Sequence, residues 1–187
     1  MVNNFNIIKP MLEFNDVNDF YFIQILKRRK ENPEMKKDVS LVENFFVYSD
    51  EELANLEPKI VEICNNRNAR AYIRLNRRNA KKVGMQTLRI VTDYIISEDY
   101  KSIKTAYLSA CGQYASEPKK KWAIDIDNPE MKKPIMDFLI QHVMFYGFIP
   151  SKSCGHLIVP PFNPNIFTTQ FSGIDLNKDA TTNLYIP

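Results

Sequence analysis

Only five glycines occur in the 187 residues, and none gathers into a glycine-rich phosphate loop, which excludes the P-loop and dinucleotide-binding patterns. Cysteine is scarcer still. Cys64, Cys111 and Cys154 are odd in number, widely spaced and without a CxxC, so neither a disulfide framework nor a structural zinc site is expected. The three read as reduced thiols. No apolar run approaches the ~20 residues that cross a bilayer, so no membrane partner is expected. The N-terminus, Met1 to Ile8, lacks a basic start followed by a long apolar core, and a secretory signal is not expected either. A cytoplasmic protein is the resulting expectation. There are no repeats and no low-complexity tract. With 11 prolines and few glycines, the chain reads as one domain over residues 1–187 without a flexible linker.

What is present fits a globular domain: 44% apolar residues, 12% aromatic residues and a negative mean hydropathy. The net charge of +3 implies no nucleic-acid partner by itself, but its distribution is uneven. Basic residues gather at Lys27 to Lys30, along Arg67 to Lys82 and at Lys119 to Lys121. The first of these reads as a solvated face. The second, with Arg74, Arg77 and Arg78, is a candidate phosphate-binding segment.

Residues 20–30 read as helical, and so do residues 50–65, where Asp50, Glu51 and Glu52 precede an apolar stripe of Leu53, Leu56, Ile60 and Ile63. Asn44 to Tyr48 and Ala71 to Leu75 read as strands, residues 84–111 as one or two helices, and Glu130 to Gly147 as a further helix. Gly155 to Val159 and Asn183 to Ile186 complete the strands, with a proline turn at Pro160 to Pro164 between them. That order fits α+β better than a doubly wound sheet.

The densest chemical signal is Trp122-Ala-Ile-Asp-Ile-Asp127. Apolar residues alternate with acids, which in a strand puts Asp125 and Asp127 on one face. Two neighbouring carboxylates repel unless a cation lies near, so the pair calls for Mg²⁺ or Mn²⁺, or for basic side chains. Some thirty residues on, Lys152-Ser153-Cys154-Gly155-His156 offers small residues for close approach of a ligand and a histidine opening an apolar strand. His156 has two readings, a ligand contact beside the acids or a hydrogen-bonded strand histidine. His142, in an apolar helix stripe, has only the second. Near the C-terminus Asp175 and Asp179 compete as a third acid, with Asp179 preferred because Asp175 reads as a turn former.

In these motifs the chain resembles the catalytic domain of the archaeo-eukaryotic primases, the primase-polymerase superfamily that includes small phage and plasmid members. Asp125 and Asp127 match its paired metal-binding acids, Cys154-Gly155-His156 its small-x-His nucleotide motif, and Asp179 its third acid. Asn76-Arg77-Arg78 looks like a variant of an Asn-Pro-Arg strand end found in phage-type members. The resemblance covers residues 67–187 and leaves 1–66 as a family-specific cap. It implies an α+β fold in which a mixed, mostly antiparallel sheet with RNA-recognition-motif-like strand order is flanked by helices.

The activity implied is metal-dependent transfer of nucleotides from a nucleoside triphosphate to a nucleic-acid 3′ end on a DNA or RNA template, with an accessory replication protein as a further partner. Asp125, Asp127 and Asp179 would hold the divalent ions, and His156 would act beside them. Lys152, Ser153, His156, Arg74, Arg77 and Arg78 would meet phosphates. Two other classes stay open: a non-catalytic nucleotide- or nucleic-acid-binding module on the same scaffold, and a structural protein whose acids pair with Lys119 to Lys121 and the arginines.

Overall fold

The computed structural model describes residues 1–187 and shows an α+β protein built on two sheets in which every strand pair is antiparallel. The first sheet has five strands, β1 (Val2–Asn3), β2 (Asp19–Arg28), β3 (Val39–Val47), β4 (Arg70–Asn79) and β9 (Thr181–Ile186), in the order β1-β9-β4-β2-β3. The second has β5 (Trp122–Ile126), β6 (Gly147–Pro150), β7 (Gly155–Val159) and β8 (Leu176–Asn177), in the order β6-β7-β5-β8. Helices α5 (Lys132–His142) and α6 (Pro164–Gln170) form the crossovers of this second sheet. It is a βαββαβ unit with its first strand central, flanked by the third and fourth, and its second strand outermost. That is the expected strand order, confined to residues 122–177. No helix is long and apolar enough to cross a membrane.

The strand at residues 19–28 corrects the helix expected over 20–30. Tyr21, Ile23 and Ile25 enter the main core, while Phe20 and Phe22 pack on the opposite face with Val83, Ala110 and Cys111. A central strand buried on both faces carries an unbroken apolar run, which hides the period of two. Helix α2 (Asp50–Arg67) forms where expected. Its cap is Ser49, whose hydroxyl accepts from the Glu52 N–H at 3.1 Å while the Glu52 carboxylate accepts from the Tyr48 N–H at 2.7 Å. It buries Leu53, Ile60 and Cys64 against the five-stranded sheet. Residues 1–66 are therefore not a cap on a separate core: they supply β1, β2, β3 and the helix that covers them.

Helices α3 (Ala80–Ile96) and α4 (Ala106–Gln113) cover only one end of the other face of that sheet, around Phe20 and Phe22. The second sheet packs instead on the main core. Ala123, Ile149 and Ile158 from its inner face join the main core, whereas Ile124, Ile126 and Leu157 on its outer face pack under α5 and α6. Asn76 fastens the two sheets at one end, its amide exchanging hydrogen bonds of 2.7 and 2.8 Å with the backbone of Lys121 just before β5. All three cysteines are free, and burial pushes the Cys64 and Cys111 thiols up to about 12 and about 11.

A candidate phosphate and metal groove at the seam of the two sheets

Asp125 and His156 sit directly opposite each other on β5 and β7, and their side chains meet: His156 Nε2 lies 3.2 Å from Asp125 Oδ1. A carboxylate can only accept, so Nε2 carries the proton, and in the neutral ring Nδ1 accepts from the Thr182 hydroxyl at 2.6 Å. Thr182 belongs to β9, so the histidine ties the two sheets together at this point. The hydrogen bond from His156 holds the Asp125 carboxyl below its ordinary range, and its charge and that of Arg28 help, against the opposing effect of partial burial. Asp125 is thus kept anionic. His156 is buried, with both nitrogens committed, and it orients Asp125 rather than reaching toward a phosphate.

Asp127 lies one residue beyond β5 and is exposed, accepting a hydrogen bond from the Ser153 hydroxyl at 3.1 Å. Both acids open on the same groove, as the alternation in the sequence requires, and Ile124 and Ile126 point away into the outer core. The groove has a volume of about 810 Å³. Its walls carry Lys152 and Ser153 from the loop before β7, Arg70 and Arg74 from β4, and Arg28 and Lys30 from the end of β2 and the turn after it. A smaller cleft of about 360 Å³, between Lys119, Lys120 and prolines 118, 160 and 161, contains neither acid nor histidine.

The remaining expected residues divide sharply. Arg74 reaches the groove wall but is ion-paired to Asp179. Arg78 is fully buried, donating to the Cys111 carbonyl at 2.8 Å, to the Asn76 carbonyl, and to both oxygens of Asp179 at 3.0 and 2.8 Å. Arg77 is also inside, paired with Asp19 at 3.0 Å and Glu117 at 3.6 Å. Arg77 and Arg78 are accordingly structural, and neither faces a phosphate. Asp179 is the counter-ion of two arginines and does not join Asp125 and Asp127. Asp175 lies nearer through its backbone, its carbonyl accepting from the Asp125 N–H at 2.9 Å one step beyond the Ile124–Leu176 pair, but its side chain is not among those lining the groove.

The donors suit a hard divalent cation in part. Asp125 has one oxygen not taken by His156, Asp127 is exposed, and Mg²⁺ characteristically binds through one or two carboxylates, waters and substrate phosphates. No three His, Cys, Asp or Glu side chains converge, however, so a protein-only cage is absent. Sequence reasoning missed Arg28, Lys30 and Arg70. The first two lay in a charge run that reads as solvated, and only the β2–β4 pairing brings them to the acids. No family model, no curated protein and no solved structure matches the chain.

Proposed function

We propose that the groove binds a nucleoside triphosphate with one divalent cation and serves nucleotidyl transfer of the primase-polymerase type. The observation that carries this is the Asp125–His156 pair with Asp127 beside it, two carboxylates on one wall of a groove whose other walls bear Arg28, Lys30 and Lys152, with Arg70 and Arg74 paired to Glu31 and Asp179. Anionic oxygen ligands and a surrounding set of cations are the two requirements of a triphosphate bound with its metal.

Asp125 and Asp127 would hold Mg²⁺ or Mn²⁺. The bound ion supplies Lewis-acid polarisation of a phosphoryl oxygen and neutralises charge. His156 fixes the Asp125 carboxylate in its ionised form and in one orientation, which keeps it a ligand at neutral pH. Ser153 orients Asp127 through its hydroxyl. Lys152 and Lys30, neither of which has an acidic partner, are free to meet phosphate oxygens, and Arg28 stands where it can serve both phosphate and Asp125. A nucleic-acid 3′ end would enter through the open side, its template being DNA or RNA.

The test is calorimetric titration of Mn²⁺ and a nucleoside triphosphate into wild type and the Asp125→Ala/Asp127→Ala variant, followed by primer extension. Metal-dependent binding that the variant loses is expected, and a wild type that binds no triphosphate with metal would sink the proposal. The absence of three converging acids favours a second reading, a nucleotide-binding module without turnover. Binding without extension of any primer-template would select it.

A further inference from the structure

The open face of the five-stranded sheet carries a side-chain row that metal and phosphate chemistry leave unused. Gln24 on β2 pairs with Tyr72 on β4, and Tyr72 with Asn183 on β9, so one ring lies between two amides on neighbouring strands. All three line the groove that holds Asp125 and Asp127. Elsewhere on the sheet aromatic rings are consumed in packing: Phe22 and Phe46 stack on each other at 5.4 Å. Tyr72 engages only through its hydroxyl, 3.5 Å from the Arg28 guanidinium. Asn183 is 4% exposed and its Oδ1 is buried without a hydrogen-bond partner. An unpartnered amide in such a place is rare in a folded protein unless something else supplies the bond.

Arg70 and Arg74, paired with Glu31 and Asp179, stand two residues to either side of Tyr72, on the same face of the strand and so roughly 6.6 Å from it along the chain. Cation, ring, cation is the alternation a nucleotide presents as phosphate and base. The groove, about 810 Å³, falls in the roughly 300–1,000 Å³ range of sites for one small molecule, which suits a mononucleotide better than an extended strand. We infer that Tyr72 is the stacking platform for the base of the bound nucleotide, with the Asn183 amide at the base edge; Gln24 is held to Asn44 at 3.3 Å and by Arg74 at 3.4 Å. This depends on the groove binding a nucleotide triphosphate, as proposed above. Every base has a π-face, so the ring supplies affinity with little base preference, while the Asn183 amide offers both donor and acceptor to the edge it meets.

The experiment compares ATP with inorganic triphosphate, each with Mg²⁺, in calorimetric titrations of the full chain as wild type, Tyr72→Ala and Tyr72→Phe. Wild type should bind ATP more tightly than triphosphate. Tyr72→Ala should weaken ATP by about 5- to 150-fold, the range for loss of one base–aromatic stack, and triphosphate by less than about 2-fold. Tyr72→Phe should keep the ATP affinity. Unchanged triphosphate binding also certifies that the alanine variant is folded. Equal affinity of wild type for the two ligands would overturn the platform while leaving the phosphate and metal site in place. Loss of both ligands in Tyr72→Ala, or of ATP in Tyr72→Phe, would overturn it as well. So would an alanine variant that keeps ATP but loses an oligothymidylate measured by anisotropy, which would assign the ring to a strand. A wild type that binds neither ligand would overturn both the platform and the triphosphate site.

Discussion

Replacing Asp179 by alanine separates its two possible roles. A metal-ligating acid in an open groove is held near other acids, and removing it relieves repulsion, so the apo protein should be as stable or more so. A counter-ion of buried arginines behaves in the opposite way. Arg78 is fully buried and both oxygens of Asp179 accept from its Nη2, at 3.0 and 2.8 Å, with Arg74 on the same carboxylate. Breaking a fully enclosed ion pair from one side costs about 3–5 kcal/mol, because a charge is left in the interior. Asp179 keeps 26% of its side-chain surface, so water reaches the vacated space and lowers the expected loss to about 2–3 kcal/mol. In a 187-residue chain that is a fall in Tm of about 4–12 °C. Asp179→Asn, which keeps an acceptor oxygen, should lose about 1–2 kcal/mol. Asp179→Leu combined with Arg78→Met should be more stable than Asp179→Ala alone, since no unpaired charge remains. Urea unfolding followed by circular dichroism measures all of these. An Asp179→Ala protein within about 0.5 kcal/mol of wild type would refute the clamp and restore Asp179 as a free acid.

Asp125 makes a contrasting pH prediction. Its folded pKa lies below the ordinary 3.8, so its stabilising hydrogen bond with His156 is present above that value and lost as the pH falls through the folded one. Urea midpoints of wild type and Asp125→Asn should therefore differ at neutral pH and converge below pH 3.8, and parallel curves would remove the pair from the account. Gly155→Ala should destabilise by about 1–3 kcal/mol, because a Cβ there would meet the Ile149 carbonyl oxygen and lie 2.6 Å from the Phe148 ring. Displacing β7 would also move His156, so triphosphate affinity should fall with it. Arg77→Met should lower stability by leaving buried Asp19 without its cation and Glu117 with Lys121 alone, yet leave the triphosphate affinity of the folded fraction unchanged, whereas Lys152→Ala should reverse that pattern.

The second sheet was the most legible part of the chain, because its strands keep local signals: Trp122 to Asp127 alternates cleanly, and Gly155 to Val159 is a short apolar run after a turn. Short edge elements were not legible. Gly147–Pro150, α6 and β8 were not read as elements, Gly147 being taken as a helix end and Pro164 as the end of a turn, since four, seven and two residues offer too little periodicity to read. The first sheet failed for the opposite reason. Its central strand β2 is so thoroughly buried that apolarity alone could not distinguish strand from helix, and the misreading concealed the strand that delivers Arg28 to the groove.

The charges followed the same logic. Arg74, Arg77 and Arg78 read as equivalent members of one basic segment, but β4 bends across a register shift and its last residues run under α3 and α4. Alternation sends Arg74 toward the groove, and the strand's burial sends Arg77 and Arg78 to interior acids more than a hundred or about forty residues away, Asp179 and Glu117. Such a partner is invisible until the fold brings it close. The cost of burying a guanidinium without one requires that it exist, however, so three arginines in five residues of an apolar strand already imply distant carboxylates. Asp179, Glu117 and Asp19 are those carboxylates. Asp125 and Asp127 are acids that the interior does not claim, and a groove walled by Arg28, Lys30 and Lys152 is where they meet unclaimed cations. A site of this kind marks itself by what folding leaves over. That is why Tyr72 and Asn183, unstacked and unpartnered on the same floor, belong to it rather than to the core.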